Sequence, residues 1–229
     1  MHQTALIVGA GAGISAAFAR ALAAQGCRIA LASRRPEKLA ALAEEVGGLA
    51  LPCDAADGAA VERAFTELDR HFDRLDVVLF NPSFRTQGPL VDLSPADVER
   101  ALRVGAFGGF LVGQQATRRM LKQGSGAILF TGASASVKGY ARSAPFAMAK
   151  FALRGLAQSM ARELAPHNIH VAHFVIDGAV RPPGSSEPAG QPDSMLDPDA
   201  IAATYLHVLR QPRSAWAWEV ELRPWVETF

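Results

Sequence analysis

The sequence predicts a doubly wound α/β domain, with a parallel sheet of about seven strands and helices on both faces. Short apolar runs alternate with longer amphipathic stretches, which is the pattern of βαβ units. The middle runs are almost continuously apolar, so we expect these strands to be covered on both faces. The predicted strands are ALIVG, RIALAS, GLALPC, DVVLFN, AILFTG, IHVAHFVI and AWEVEL.

Length and charge favour one domain, residues 1–229, that binds small molecules. The formal charge is +1 and the charges are interleaved, which favours neither nucleic acid nor a membrane surface as a partner. Cys27 and Cys53 are expected about 20 Å apart at opposite ends of neighbouring strands, too far for a disulfide. Free thiols and the lack of a targeting segment predict a cytoplasmic protein.

The pairs Ser94-Pro95 and Asp197-Pro198 are typical of helix starts, with an N-cap residue followed by proline. The segment 181–196 is rich in proline, glycine and serine. It is either a flexible flap over the substrate site or a plain surface loop. We expect the substrate pocket to be lined by this segment, which carries no recognisable charged constellation.

A glycine-rich turn, VGAGAGISAAFARAL, follows the first predicted strand and contains Gly9, Gly13 and Ile14. Small residues let a backbone approach a pyrophosphate, and the helix that follows offers free N–H groups. A bare structural turn is the alternative. The position inside a βαβ unit favours a Rossmann-type dinucleotide site.

The end of the second strand carries no acidic residue that would hold the ribose hydroxyls of NAD. Ser33 and Arg34 stand there instead, with Arg35 next to them. A guanidinium can pair bidentately with a 2′-phosphate, so we expect NADP(H) to be favoured over NAD(H). The alternative is that the arginines only solvate the strand end.

The spacing of Gly9 and Gly13, with Ser15 at the third position, resembles the Gly-x-x-x-Gly-x-Gly turn of the short-chain dehydrogenase/reductase family. Serine is small, so we expect slight widening of the turn and not loss of the site. The similarity extends from LIVGAGAGI through CDAAD and LFNPS to IHVAHFVIDG. It implies an NADP(H)-dependent oxidoreductase that acts on an unknown carbonyl or alcohol.

The resemblance also assigns cofactor contacts beyond the glycine turn. It implies that Asp54 contacts the adenine and that Asn81 lies beside the cofactor at the end of the fourth strand. Asp177 and Gly178 occupy positions next to the nicotinamide, where relatives usually carry Pro-Gly. The Asp177 side chain either takes part in the chemistry or acts as a hydrogen-bonding cap.

The family's catalytic positions are altered in this chain. Relatives use a Tyr-x-x-x-Lys pair, a serine thirteen residues before the tyrosine, and an asparagine on the preceding long helix. Lys150 is kept, but Phe146 replaces the tyrosine, and Ala133 and Gly105 replace the serine and the asparagine. Phenylalanine has no proton to give, and a positioned acid or base contributes roughly 10²–10⁴-fold.

Ser134, Tyr140 and Lys150 are the candidates that remain for the chemistry. Lys150 either binds the ribose, which we favour, or acts as an acid if it is desolvated. Surface or cap roles are the alternative for Ser134 and Tyr140. The competing functions are a cofactor-binding regulator or scaffold without catalysis and, ranked last, a lyase or isomerase step with Asp177 as its base.

The six histidines show no metal-ligand spacing, so we expect no metal. His173, inside the sixth predicted strand, is expected to be a satisfied core or interface histidine and not a ligand. Relatives commonly form dimers or tetramers through two long helices. The matching segments here, VERALRVGAFGGFLVGQQATRRML and FAMAKFALRGLAQSMAREL, are apolar over more than one face. We therefore expect a homodimer or homotetramer.

Overall fold

A seven-stranded parallel sheet forms the centre of the computed structural model, which describes residues 4–228. The strand order is β3-β2-β1-β4-β5-β6-β7, and each neighbouring pair is parallel. The chain crosses from one half of the sheet to the other between β3 and β4, so β1 and β4 are neighbours and a crevice opens beyond their carboxyl ends. The strands are β1 (Thr4–Val8), β2 (Arg28–Ser33), β3 (Leu49–Pro52), β4 (Val77–Phe80), β5 (Gly126–Thr131), β6 (Ile169–Ile176) and β7 (Glu219–Leu222).

Among residues 4–228, α-helices cover the sheet on both faces. One core cluster contains apolar side chains of α1, α2 and α7, and the other contains side chains of α3, α5 and α6. This confirms the predicted doubly wound class and its seven strands. The helices are α1 (Ile14–Ala23), α2 (Ala40–Glu45), α3 (Gly58–His71), α4 (Pro95–Leu102), α5 (Gly108–Gln123), α6 (Ala144–Leu164) and α7 (Pro198–Leu209).

Both predicted helix starts are confirmed. The Asp197 carboxylate accepts a hydrogen bond from the Asp199 amide at 2.9 Å and so caps α7. Ser94 precedes α4 without a side-chain cap bond, and Pro95 is the first helical residue. A π-helical turn at Arg103–Phe107 joins α4 to α5.

Cys27 and Cys53 are buried free thiols, as predicted. The segment 181–196 contains no helix or strand, and its ends meet at a single bridge between Val180 and Leu196. No helix among residues 4–228 is long and apolar enough to cross a membrane. In the same part of the chain, no group of three or more His, Cys, Asp or Glu residues is placed to hold a metal ion.

Candidate functional site

The glycine turn after β1 is held against the end of β4. Gly9 has a φ of +77°, and a Cβ there would lie 2.5 Å from the Pro82 nitrogen, so only glycine fits. The Ser15 hydroxyl donates to the Gly9 carbonyl at 3.3 Å and accepts from the Asn81 amide at 2.8 Å. The serine at the third turn position therefore ties the turn to β4.

A first cavity of about 890 Å³ lies at the carboxyl ends of β1 to β4. A Cβ at Gly11, which lines it, would meet no atom within 4 Å, so the backbone there is open to a ligand. Gly13 caps the start of α1 and is equally open, but it does not line this cavity. This volume falls within the roughly 300–1,000 Å³ that is typical of small-molecule sites.

Positively charged side chains cluster in the first cavity at the carboxyl end of β2. Ser33, Arg34, Arg35 and Lys38 all line the first cavity. Among residues 4–228 no carboxylate lies within ion-pair distance of these three cations. Free guanidinium and ammonium groups beside a small hydroxyl residue fit the 2′-phosphate of NADP(H).

Polar residues at the ends of β3 and β4 complete this part of the site. Asp54 lines the first cavity, and its carboxylate accepts from the Ala56 amide at 3.0 Å. Asn81 and Ser83 line both this cavity and a second one. The two cavities therefore adjoin at the end of β4.

The second cavity measures about 290 Å³ and lies between the ends of β4, β5 and β6 and the start of α6. Its lining includes three predicted catalytic residues and three predicted cofactor contacts, which are Ser134, Tyr140 and Lys150, and Ile14, Asn81 and Gly178. The structure thus brings together side chains that are far apart in sequence.

Lys150 is 3% exposed, and its Nζ donates to the Thr131 carbonyl at 2.7 Å. Burial lowers the pKa of Lys150 to about 8. No carboxylate among residues 4–228 lies within ion-pair distance of its ammonium group. A lysine with a pKa close to neutral exchanges protons readily at physiological pH.

The three altered positions behave differently. The Phe146 ring and Ala133 both line the second cavity. Gly105 lies in the π-helical turn and lines neither cavity, and a Cβ there would approach the Ala149 Cβ at 3.0 Å. Contact with α6 therefore favours glycine at position 105.

Ser134 and Tyr140 reach the second cavity from the segment between β5 and α6. Ser134 also contacts Asp177. Its hydroxyl donates a hydrogen bond to the Asp177 carboxylate, and this bond helps to lower the pKa of that carboxylate. Tyr140 is 51% exposed and stands at the mouth of the cavity.

Asp177 is buried and lines neither cavity. Its carboxylate accepts from Lys138 Nζ at 2.9 Å and pairs with Arg223 at 3.2 Å. Burial alone would raise the pKa of Asp177, but bonds from Ser134 and Lys138 and the two cationic charges hold it below its usual value. The carboxylate joins three segments and is badly placed to act as a base.

His173 is a satisfied core histidine, as predicted. Its Nε2 lies 3.2 Å from the Ser136 hydroxyl and its Nδ1 lies 3.0 Å from the Glu219 carboxylate. Burial lowers the pKa of His173 to about 4, although the Glu219 charge acts in the opposite direction. Ser136 in turn accepts from the Ala133 amide at 3.2 Å, so the network fixes the segment that carries Ser134.

The segment 181–196, which we expected to line the substrate pocket, does not line the second cavity. Only Pro183 of that segment reaches a cavity, and it is the first one. The second cavity is lined instead by Ser83, Arg85 and Gln87, which follow β4. Arg85 is the cation that sequence reasoning missed, and its position just beyond the carboxyl end of a parallel strand was the available signal.

Family membership follows from the fold, the glycine turn and the sequence together. Residues 3–185 match the short chain dehydrogenase family, and the chain belongs to it. Among curated relatives, D-threitol dehydrogenase of Mycolicibacterium smegmatis is 31% identical over 174 residues, 74% of this chain and 67% of the relative. The human 3-oxoacyl-[acyl-carrier-protein] reductase is 30% identical over 75% of this chain and 73% of the relative.

Solved structures agree with this assignment. A short-chain dehydrogenase from Rhodopseudomonas palustris is 36% identical, with a TM-score of 0.85 over 97% of this chain and 99% of the other. A metagenomic short-chain oxidoreductase in complex with NADP is 27% identical, with a TM-score of 0.85 over 98% of both chains. The family and its named relatives are oxidoreductases, and this chain has their architecture throughout.

Proposed function

We propose that this protein is an NADP(H)-dependent oxidoreductase that acts on a carbonyl or alcohol. The observation that carries the proposal is the pair of adjoining cavities. The first has an open glycine turn and, at the end of β2, cations that form no ion pair with any described residue; the second has a buried lysine, and Asn81 and Ser83 line both. A dinucleotide in the first cavity would thus present its nicotinamide end to the second.

The residues that would hold NADP(H) fit its parts. Arg34, with Ser33 and Arg35, would bind the 2′-phosphate, and the turn from Gly9 to Ile14 would hold the pyrophosphate. Asp54 would contact the adenine, and Asn81 and Gly178 would border the nicotinamide. The cofactor would supply the hydride, and the related metagenomic oxidoreductase was solved with NADP. Asp177 falls outside this set, because it lines neither cavity, its amide donates to the Leu222 carbonyl at 2.8 Å and its carboxylate belongs to the ion-pair network.

We assign proton transfer to Lys150. The ammonium group lies at the second cavity, is shielded from water and has a pKa of about 8, so it can give a proton to a carbonyl oxygen near neutral pH. It returns to the charged form by taking a proton from solvent. The Ser134 hydroxyl donates its one proton to the Asp177 carboxylate, so Ser134 would line the cavity without donating to the substrate, and Tyr140 would cover the cavity mouth. The Lys150 group would also bind the nicotinamide ribose.

The proposal is tested by titrating the purified protein with NADPH and NADH and following nicotinamide fluorescence. We expect NADPH to bind more tightly, and Arg34→Gln to weaken NADPH binding by roughly tenfold or more, because a charged hydrogen bond contributes about 1.5–3 kcal/mol. NADH binding should hardly change. Arg210→Gln is the matched control, since Arg210 is exposed and lines neither cavity. Failure of both nucleotides to bind would refute the proposal.

A second candidate function is favoured by one observation, the loss of tyrosine, serine and asparagine at positions 146, 133 and 105. In this case the protein would bind the dinucleotide as a regulator or scaffold without catalysis. The discriminating test adds a panel of aldehydes and ketones to the NADPH complex. Oxidation of NADPH supports the enzyme, whereas tight binding with no turnover supports the regulator.

We further propose a cytoplasmic homodimer or homotetramer. The two buried thiols are free, which supports a reducing compartment. The proposed oligomer rests on large apolar side chains that are exposed on α5, α6 and the π-helical turn. These are the elements where we expected the subunit contacts of the family. The exposed side chains are Phe107, Phe110, Leu121, Met148 and Phe151.

A further inference from the structure

The second cavity has a charge pattern that proton transfer alone does not require. Two cationic side chains, Arg85 and Lys150, are in its lining, and no aspartate or glutamate is. The remaining polar lining consists of neutral hydroxyl and amide groups, such as Ser143 and Gln87. Two positive groups around one small cavity repel each other, and an anion between them would offset that repulsion.

Arg85 is directed toward this cavity by its contact with Phe146. Its Cζ lies 5.4 Å from the centroid of the Phe146 ring, a cation–π distance. The segment that carries Arg85 is tied down further along, where the Gly88 amide donates to the Arg142 carbonyl at 2.9 Å. Arg85 therefore stands over the same ring that faces Lys150.

The guanidinium of Arg85 has no acidic partner in the described part of the chain. Among residues 4–228 no carboxylate lies within ion-pair distance of it, whereas Arg154 is paired with Glu219 and Arg181 with Asp197. Its planar donor fork is thus available for a bidentate bond to a carboxylate or phosphate.

We propose that the second cavity binds a small substrate with an anionic group, a carboxylate or a phosphate, which Arg85 holds while the reacting carbonyl or hydroxyl lies at Lys150. The volume of about 290 Å³ would be shared with the nicotinamide end of the cofactor, so the remaining space suits only a short molecule. The part of this inference that concerns Lys150 rests on the proposed oxidoreductase function. Anion binding at Arg85 does not, so the two can fail separately.

Isothermal titration calorimetry of the full chain, with and without NADPH, tests the inference. Acetoacetate is the carboxylate probe and methyl acetoacetate is its uncharged counterpart. Dihydroxyacetone phosphate and dihydroxyacetone form the phosphate pair. Each probe is titrated into the unmodified protein, Arg85→Gln and Arg100→Gln. Arg100 is the matched control because its Cζ lies 4.4 Å from the Phe84 ring centroid, yet it lines neither cavity.

We expect the anionic member of at least one pair to bind at least tenfold more tightly than its neutral counterpart. Arg85→Gln should remove that preference and Arg100→Gln should keep it. A preference confined to one pair identifies the anion as carboxylate or phosphate. Equal binding of anionic and neutral probes, an unchanged preference in Arg85→Gln, or no binding of any probe would overturn the inference. Anion binding without NADPH oxidation would uphold it and count against the proposed oxidoreductase instead.

Discussion

The Nζ atom of Lys150 lies 5.9 Å from the centroid of the Phe146 ring. In the family this residue pair is a lysine and a tyrosine one helical turn apart, and the tyrosine hydroxyl exchanges the proton. Here the lysine keeps its place beside the ring, at the second cavity, while the ring has no hydroxyl. The buried ammonium group is consequently the proton source that we assign to this site.

Restoring the hydroxyl should raise activity. Phe146→Tyr places a phenol on the lining of the second cavity, beside Lys150, and a positioned acid contributes roughly 10²–10⁴-fold. We expect kcat for carbonyl reduction to rise by about 10²-fold or more, measured as NADPH oxidation. Phe151→Tyr, on the same helix but outside both cavities, should change nothing. If Phe146→Tyr binds NADPH and gains no activity, the site is not a modified redox site.

Burial of Lys150 should make the free energy of unfolding depend on pH in the alkaline range. Its pKa is about 8 in the folded protein against an ordinary value of 10.5, so the unfolded chain binds more protons between these pH values. The free energy of unfolding should therefore gain up to about 3 kcal/mol from this group as pH rises across that window.

Urea unfolding of the unmodified protein and Lys150→Met at several pH values measures this contribution. The difference in unfolding free energy between the two proteins should change with pH. Both proteins contain the buried thiols, whose pKa values are raised to about 12 by burial, so the opposing effect of the thiols cancels in this difference. Lys122→Met, at an exposed position of α5, is the control. A difference that is independent of pH would show that Lys150 is not desolvated.

Gly132 should not tolerate a side chain. A Cβ at this position would overlap the His173 ring and lie 2.7 Å from the Phe174 carbonyl oxygen. Overpacking of this kind costs typically 1–3 kcal/mol, so we expect Gly132→Ala to lower the free energy of unfolding by about that amount. Gly139→Ala serves as the comparison, since a Cβ there meets no atom within 4 Å. Equal stability of the two variants in urea would contradict the packing described around His173.

The exposed phenylalanines should mediate self-association. Phe151 on α6 is 43% exposed, and a carboxylate in its place would put a charge into any apolar contact. We expect analytical ultracentrifugation to show a dimer or tetramer for the unmodified protein and a monomer for Phe151→Glu. Val91→Glu, at a position 90% exposed outside these helices, should assemble normally. A monomeric unmodified protein at micromolar concentration would refute the oligomer.

The fold could be predicted from the sequence because its signals are local. Each strand is a short apolar run, and the glycine turn stands beside its own strand and helix, so neighbouring residues were sufficient. Ser33 and Arg34 were recognisable for the same reason. Their position at the end of β2 follows directly from the strand prediction.

The contacts that shape the second cavity could not be predicted, because they join residues distant in sequence. Arg85 follows β4 and contacts Phe146 near the start of α6, and nothing in the sequence around either residue predicts this contact. The Asp177 carboxylate looked like a candidate base until its cationic partners were placed beside it. One of those partners, Arg223, follows β7, 46 positions further along the chain.

The most direct test of the central claim follows a deuterium label from NADPH deuterated at the nicotinamide C4 into product, with acetoacetate and a panel of other carbonyl compounds. We predict that the unmodified protein transfers deuterium to the carbonyl carbon of a substrate, and that Lys150→Met fails to do so. If the protein binds NADPH and no product carries deuterium, it is not an oxidoreductase of these substrates and the cofactor-binding regulator becomes the better account.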